Sequence, residues 1–103
     1  MLGRGNVICA GNIFTTDIRV GSFNFFNLNS TFGHDVRFGD YCVVNPGVTM
    51  SGDVVLGDAC LIGTGATILQ GLRLGDEVTV GAGAVVTKNV ESESTWQECR
   101  RNQ

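Results

Sequence analysis

An apolar residue recurs at every sixth position of this chain from residue 2 to residue 86. An α-helix repeats near 3.6 residues and a β-strand repeats at two, so neither element alone explains this period. A hexapeptide solenoid, in which each repeat is a short strand followed by a corner, does explain it. The recurring residues are Leu2, Ile8, Phe14, Val20, Phe26, Phe32, Phe38, Val44, Met50, Leu56, Ile62, Ile68, Leu74, Val80 and Val86.

Three hexapeptides make a coil of 18 residues, which predicts about five triangular coils stacked through parallel strand pairing. In one column the residue after the anchor is always glycine, where we expect it to tolerate corner dihedrals that a Cβ would resist. The predicted fold is all-β, a parallel β-helix over residues 1–90, followed by an irregular tail at 91–103. The glycines of that column are Gly3, Gly21, Gly39, Gly57 and Gly75.

Composition excludes several classes of function. The chain has 103 residues and a net charge of −3, which argues against a nucleic-acid-binding surface. No apolar run approaches the ~20 residues of a membrane span, and no secretory signal opens the chain. We therefore predict a cytoplasmic protein with no membrane partner.

Polar and cysteine residues also follow the 18-residue register. Cys42 and Cys60 are predicted to stack in adjacent coils as small buried hydrophobes, with a disulfide between them as the alternative. Asn27 and Asn45 are expected to form an amide ladder. A column of aspartates is expected to bond nearby backbone amides, with a bound cation as the alternative. These aspartates are Asp40, Asp58 and Asp76.

Two segments, residues 62–67 (IGTGAT) and 80–88 (VGAGAVVTK), resemble the hexapeptide-repeat acyltransferases. Residues 27–90 are most similar to the sialic-acid O-acetyltransferase branch, which includes bacterial sugar N-acetyltransferases. The resemblance implies a left-handed β-helix and a homotrimer with one active site in each cleft between neighbouring helices. It implies transfer of an acetyl group from acetyl-CoA to a hydroxyl or amine of a sugar or nucleotide sugar, with no metal.

The chemistry requires a base, because the acceptor loses a proton as it attacks the thioester. His34 is the only histidine and lies in the sequence Gly33-His34-Asp35, which matches the motif of the family's catalytic histidine. The resemblance therefore implies that His34 is the general base. Asp35 would orient the imidazole and stabilise its charged form.

The resemblance also implies binding residues. Asn27 matches a position at which relatives often have an asparagine that contacts the acceptor or the acetyl group. This binding role is an alternative to the structural role of Asn27 in the amide ladder. In the family, one side of the cleft binds CoA. The matching positions here are Gly52 and the corners Gly63-Thr64 and Gly81-Ala82, whose small side chains would leave room for the pantetheine arm of CoA. Val43 stands where relatives often carry a second histidine.

Two departures from the family bear on activity. Close relatives carry a nucleotide-sugar-recognising α/β domain before the helix, whereas this chain starts inside the first coil. Relatives end near G-x-P-A-K, whereas this chain ends TWQECRRNQ. One nucleotide sequence that encodes this ending, translated in a reading frame shifted by two nucleotides, gives M-A-G-M-P-A-K-P. We therefore hypothesise that a frameshift replaced the native end.

Two alternatives to an active acetyltransferase follow from the sequence. The first is a catalytically inactive trimeric β-helix that serves as a scaffold. The second is a γ-class carbonic anhydrase, which uses the same kind of helix but needs three histidines on zinc. One histidine per chain makes the carbonic anhydrase the weaker alternative.

Overall fold

The computed structural model describes residues 1–97, which form fifteen strands of two residues each and no helix. Nothing within residues 1–97 is therefore a helix long and apolar enough to cross a membrane. The strands are β1 (Val7–Ile8), β2 (Ile13–Phe14), β3 (Arg19–Val20), β4 (Phe25–Phe26), β5 (Thr31–Phe32), β6 (Arg37–Phe38), β7 (Val43–Val44), β8 (Thr49–Met50), β9 (Val55–Leu56), β10 (Leu61–Ile62), β11 (Thr67–Ile68), β12 (Arg73–Leu74), β13 (Thr79–Val80), β14 (Val85–Val86) and β15 (Thr95–Trp96).

The strands form three parallel sheets, one along each side of a triangular coil. Sheet I has the order β1-β4-β7-β10-β13-β15, sheet II β2-β5-β8-β11-β14, and sheet III β3-β6-β9-β12. Val7 pairs with Phe25, eighteen positions later, and the same register recurs through the sheets. The predicted parallel β-helix of about five coils is confirmed, and the arrangement is consistent with the left-handed form.

The anchors and the fifth residues of the hexapeptides point inward and form one continuous core. Phe26 and Phe32 are fully buried, and their rings meet edge to face with centroids 5.5 Å apart. Phe14, in the coil before Phe32, stacks on the Phe32 ring with centroids 4.8 Å apart. Aromatic pairs of this geometry each contribute about 1 kcal/mol beyond the area they bury. The first coils are therefore held together by aromatic packing.

The chain turns each corner at the fourth residue of the hexapeptide, counting the anchor as the first. There the backbone enters the left-handed region, with φ of 60° at Asp35 and 62° at Tyr41. The expectation that the glycines after the anchors supply this conformation is wrong. Those glycines permit close approach of coils, because a Cβ on Gly39 would lie 2.8 Å from the carbonyl carbon of Gly57.

The aspartate column lies along the corner between sheets III and I and bonds backbone amides, as expected. The N–H of Ser22 donates to Asp40 Oδ1, and the N–H of Asp40 donates to Asp58 Oδ1, both at 2.8 Å. The N–H of Asp58 in turn donates to Asp76 Oδ1 at 2.8 Å. Each carboxylate thus ties its own coil to the coil before it.

Cys42 and Cys60 lie buried in adjacent coils of the same column, as expected for small core residues. The Cys42 thiol donates to the carbonyl of Gly57 at 3.2 Å, and the Cys60 thiol donates to that of Gly75 at 3.1 Å. Both cysteines are free. Contact with Cys60, together with burial, raises the pKa of the Cys42 thiol.

The coil continues beyond the boundary expected at residue 90. Val90 bridges to Leu74, and Thr95–Trp96 forms β15, which pairs with β13 in sheet I. Trp96 packs against the core, and its Nε1 donates to the carbonyl of Val85 at 3.0 Å. An irregular structure is therefore wrong for residues 91–97. Residues 98–103 lie outside the described part of the chain, and the frameshift hypothesis stays a prediction.

Candidate active site

His34 lies at the corner between sheets II and III, here called the II–III corner, which comprises residues 15–18, 33–36, 51–54 and 69–72. Its backbone is fixed by both neighbouring coils. The N–H of Asp53 donates to the His34 carbonyl at 2.8 Å, and the N–H of Asp35 donates to the Thr16 carbonyl at 2.9 Å. The imidazole itself points outward, with 55% of the side chain exposed. The corner therefore presents a solvent-accessible base on a rigid backbone.

The structure brings His34 and Asp35 together as expected. His34 Nδ1 lies 3.1 Å from Asp35 Oδ2, a hydrogen-bonding distance. When Nδ1 carries the proton and donates to this carboxylate, Nε2 keeps its lone pair. The pair can therefore accept a proton at Nε2 from a group outside the coil.

Gly52 lies directly beneath the imidazole. A Cβ at this position would collide with His34 Nε2, and the next nearest atom, Cε1, would be 2.7 Å away. The absence of a side chain thus lets the imidazole rest on the backbone of the following coil. Gly52 is expected from the resemblance to contact CoA, and the structure adds a second role, since it makes room for His34.

Asp53 completes a cluster that the sequence analysis missed. Ligating atoms of His34, Asp35 and Asp53 all lie within 4.8 Å of one another. Asp53 lies eighteen positions after Asp35, at the same left-handed corner position, and this register was the signal that could have identified it. One imidazole and two carboxylates can also bind a divalent cation, but exposed acidic groups commonly cluster without one. The expected absence of a metal stays a prediction.

The remaining predicted site residues lie on a different corner, between sheets I and II, here called the I–II corner (residues 27–30, 45–48, 63–66 and 81–84). Asn27, Gly63 and Gly81 occupy one column there, with Thr64 and Ala82 beside it and exposed. A Cβ on Gly63 would lie 2.6 Å from the backbone nitrogen of Ala82, so this corner too is closely stacked.

Asn27 does not form the expected amide ladder. Its Oδ1 accepts the N–H of Leu28 at 2.9 Å, and its carbonyl accepts Asn12 Nδ2 at 2.6 Å. Within residues 1–97, no hydrogen bond joins the side chains of Asn27 and Asn45. The side-chain Nδ2 of Asn27 has no acceptor in the same part of the chain, so it is available to an external ligand.

The predicted residues therefore form two groups within one chain. His34, Asp35 and Gly52 meet at the II–III corner, while Asn27 and the small residues of the I–II corner lie across sheet II. The outward residues of sheet II between them are mainly threonines. These are Thr31, Thr49 and Thr67.

Residues 53–88 match a family model described as the hexapeptide repeat of succinyl-transferase. A search of curated proteins gave no match. Among solved structures, WeeI from Acinetobacter baumannii AYE is similar with a TM-score of 0.87 and 35% identity over 92% of this chain. The acetyltransferase domain of PglB from Neisseria gonorrhoeae FA1090 is similar with a TM-score of 0.68 and 26% identity over 86% of this chain.

A variant of perosamine N-acetyltransferase from Caulobacter crescentus, in complex with CoA and GDP-perosamine, shares the fold. Its TM-score is 0.71, with 24% identity over 89% of this chain. The chain covers 48% of the WeeI chain, 47% of the PglB domain and 52% of the Caulobacter protein, so it spans about half the length of each.

The repeat, the three parallel sheets and these similarities define a hexapeptide-repeat β-helix protein. The chain carries the repeat of the matched family model over residues 53–88, and its β-helix resembles that of the PglB acetyltransferase domain.

Proposed function

We propose that this chain is the catalytic β-helix of an acetyltransferase that moves an acetyl group from acetyl-CoA to a hydroxyl or amine of a sugar. The observation that carries the proposal is the hydrogen-bonded pair of His34 and Asp35, seated on Gly52 at an exposed corner. A solvent-facing imidazole with a carboxylate partner is the arrangement that general-base catalysis requires.

In the proposed reaction, Nε2 of His34 accepts the proton of the attacking hydroxyl or amine. The new bond forms between that oxygen or nitrogen and the acetyl carbon, and the bond from this carbon to sulfur breaks. The proton then passes from Nε2 to the departing thiolate. Asp35 holds the ring and stabilises the transient imidazolium, and the carboxylate of Asp53 adds to this stabilisation.

We further propose that the site is shared between copies in a homotrimer. The two groups of site residues lie on different corners of one chain, so a single copy does not place Asn27 beside His34. In a closed ring of copies the contacts are heterologous, and the I–II corner of one copy can face the II–III corner of the next. This arrangement unites both groups in one cleft.

The outer surface of sheet I supports association between copies. Val7 and Leu61 point outward there with 52% and 42% exposure, next to the half-buried Phe25 and Val43. At the edge of sheet I, the exposed rings of Phe23 and Tyr41 stack with centroids 5.4 Å apart. Both residues lie at a corner and have positive φ. Contiguous apolar surfaces of this kind mark contact sites. We propose that this surface packs against neighbouring copies.

The relatives support the choice of substrates. The Caulobacter protein binds CoA and GDP-perosamine, and the PglB domain is an acetyltransferase domain. We propose that a sugar or nucleotide sugar is the acceptor here and that Asn27 contacts it. The small residues of the I–II corner, Gly63, Thr64, Gly81 and Ala82, would lie against the pantetheine arm.

The test is acetyl transfer by the purified chain and by His34→Ala, followed by mass spectrometry of the sugar product. The general base contributes typically 10²–10⁴-fold to such reactions, so we expect the exchange to remove at least a hundredfold of the rate. The melting temperature should hardly change, because the imidazole is exposed. If the His34→Ala variant keeps its activity, the assignment of His34 as the general base is contradicted. If the wild-type chain shows no activity with any acceptor, the result favours the catalytically inactive scaffold.

A further inference from the structure

A polar groove extends from the II–III corner onto the outer surface of sheet III. It encloses about 590 Å³, within the range of small-molecule sites. One end contains Asp35 and Asp53, the two carboxylates that surround His34. Arg37, Val55 and Arg73 line the side formed by sheet III, and Gly71 follows Asp53 in the same corner column.

The two arginines are placed to act on one ligand. Arg37 and Arg73 each pair in register with Val55 of the strand between them, so they are two strand spacings, or about 10 Å, apart. Their side chains are long and exposed, and Val55 is short, so both guanidinium groups can turn toward the space above it. Gly71 borders this space, and a Cβ there would meet nothing within 4 Å.

Both guanidinium groups are available to an anion. Within residues 1–97, the only ion pair closer than 4.0 Å is that between His34 and Asp35. Neither Arg37 nor Arg73 therefore has a carboxylate partner in that part of the chain. Guanidinium groups bind phosphate oxygens through paired, charge-assisted hydrogen bonds, which makes phosphate the chemistry that best fits them.

Building on the proposed function, we propose that this groove binds the phosphate-bearing part of one of the two substrates, with Arg37 and Arg73 as the phosphate ligands. The carboxylates at the other end repel phosphate and attract a hydroxyl or amine toward His34. The separation of charges orients the bound substrate along the groove.

The test is isothermal titration of the whole chain with inorganic pyrophosphate. Arg37→Gln and Arg73→Gln should each weaken binding about tenfold or more, because each removes a charge-assisted hydrogen bond. Arg19→Gln is the matched control, since Arg19 is the next outward arginine of the same sheet and does not line the groove. Its affinity should fall clearly less than that of either groove variant, because Arg19 lies one strand spacing from Arg37 and acts only through its charge, with no ligand contact in the groove.

Competition identifies the source of the phosphate. Displacement of pyrophosphate by CoA assigns the groove to the donor, and displacement by a nucleoside diphosphate sugar assigns it to the acceptor. Absence of saturable binding, displacement by neither compound, or an equal loss in the Arg19 variant would overturn the proposal. His34→Ala should bind pyrophosphate like the wild type, so failure of the catalytic assignment can be distinguished from failure of the groove.

Discussion

At the scale of single residues, the position of His34 depends on three neighbours with different roles. Asp35 accepts a hydrogen bond from the ring, Gly52 leaves the space in which the ring rests, and Asp53 fixes the backbone and adds a second carboxylate. The imidazole and the Asp35 carboxylate are 55% and 44% exposed, so the site depends on the rigid coil and not on enclosure.

We expect Asp35→Asn to reduce the turnover number by a factor of about 10² or more. The amide cannot stabilise the imidazolium and can favour the wrong tautomer, which removes much of the benefit of a positioned base. Steady-state kinetics will measure this. Asp17→Asn is the matched control, because Asp17 occupies the same left-handed corner position one coil earlier. Equal losses in both variants would contradict a specific role for Asp35.

Cys42 makes the stability of the fold dependent on pH. Its pKa is raised in the folded chain by the contact with Cys60 and by burial, so the folded thiol stays protonated where an unfolded thiol ionises. The same contact lowers the pKa of Cys60, so the two contributions of the contact oppose each other, and burial, which acts to raise the pKa of both thiols, decides the direction. The stabilisation is complete below the unfolded pKa of about 8.5 and is lost as the pH rises above it. We expect urea unfolding to show a steeper decline above this pH in the wild type than in Cys42→Ala. Parallel pH profiles would contradict this account.

At the scale of strands and corners, close approach between coils explains the glycine column. Each of these glycines lies against the backbone of the next coil, so a methyl group there meets atoms that cannot move aside. The left-handed corners tolerate Asp, Tyr and Phe, whereas the position after the anchor does not tolerate a Cβ in this column.

We expect Gly39→Ala to lower the free energy of unfolding by about 2 kcal/mol, in the range of other overpacking substitutions. Gly81→Ala is the control. Its nearest neighbour would lie 3.6 Å from the added carbon, an ordinary contact, and its effect should be close to zero or slightly stabilising. Chemical denaturation of both variants will measure the difference. A similar cost at both positions would contradict close approach as the cause.

The sequence predicted β1 to β14 because one inward residue per hexapeptide is enough to identify each strand. It missed β15 because the last coil is shorter: Leu74 pairs with Val90 and Val80 with Trp96, sixteen positions on instead of eighteen. A fixed period cannot detect such a shortening.

The candidate site was also predicted only in part, because a periodic pattern specifies the register of the coils but not the direction of each side chain. The motif around His34 predicted the pairing of the imidazole with Asp35, and the 18-residue register fixed which coils are neighbours. It did not reveal that Gly52 underlies the imidazole or that Asp53 joins the pair. These contacts depend on the direction of side chains at the corner, which a periodic pattern does not specify.

At the scale of the whole molecule, the three outer surfaces differ in character. Sheet I is apolar over its first coils, sheet II carries threonines, and sheet III carries arginines beside the groove. A ring of copies that buries sheet I would leave the threonine and arginine surfaces near the proposed clefts. This distribution is what a shared site requires, because binding groups stay accessible while apolar groups are covered.

The shared site is tested most directly by mixing two inactive variants. His34→Ala removes the base, and Ala82→Trp blocks the exposed I–II corner without entering the core. Each variant alone should be inactive. When both are co-expressed at equal levels, about a quarter of all clefts, one in each mixed trimer, combine an intact base with an open corner from different copies. We expect about a quarter of the wild-type activity to return. No recovery, in trimers shown by native mass spectrometry to contain both variants, would contradict the account.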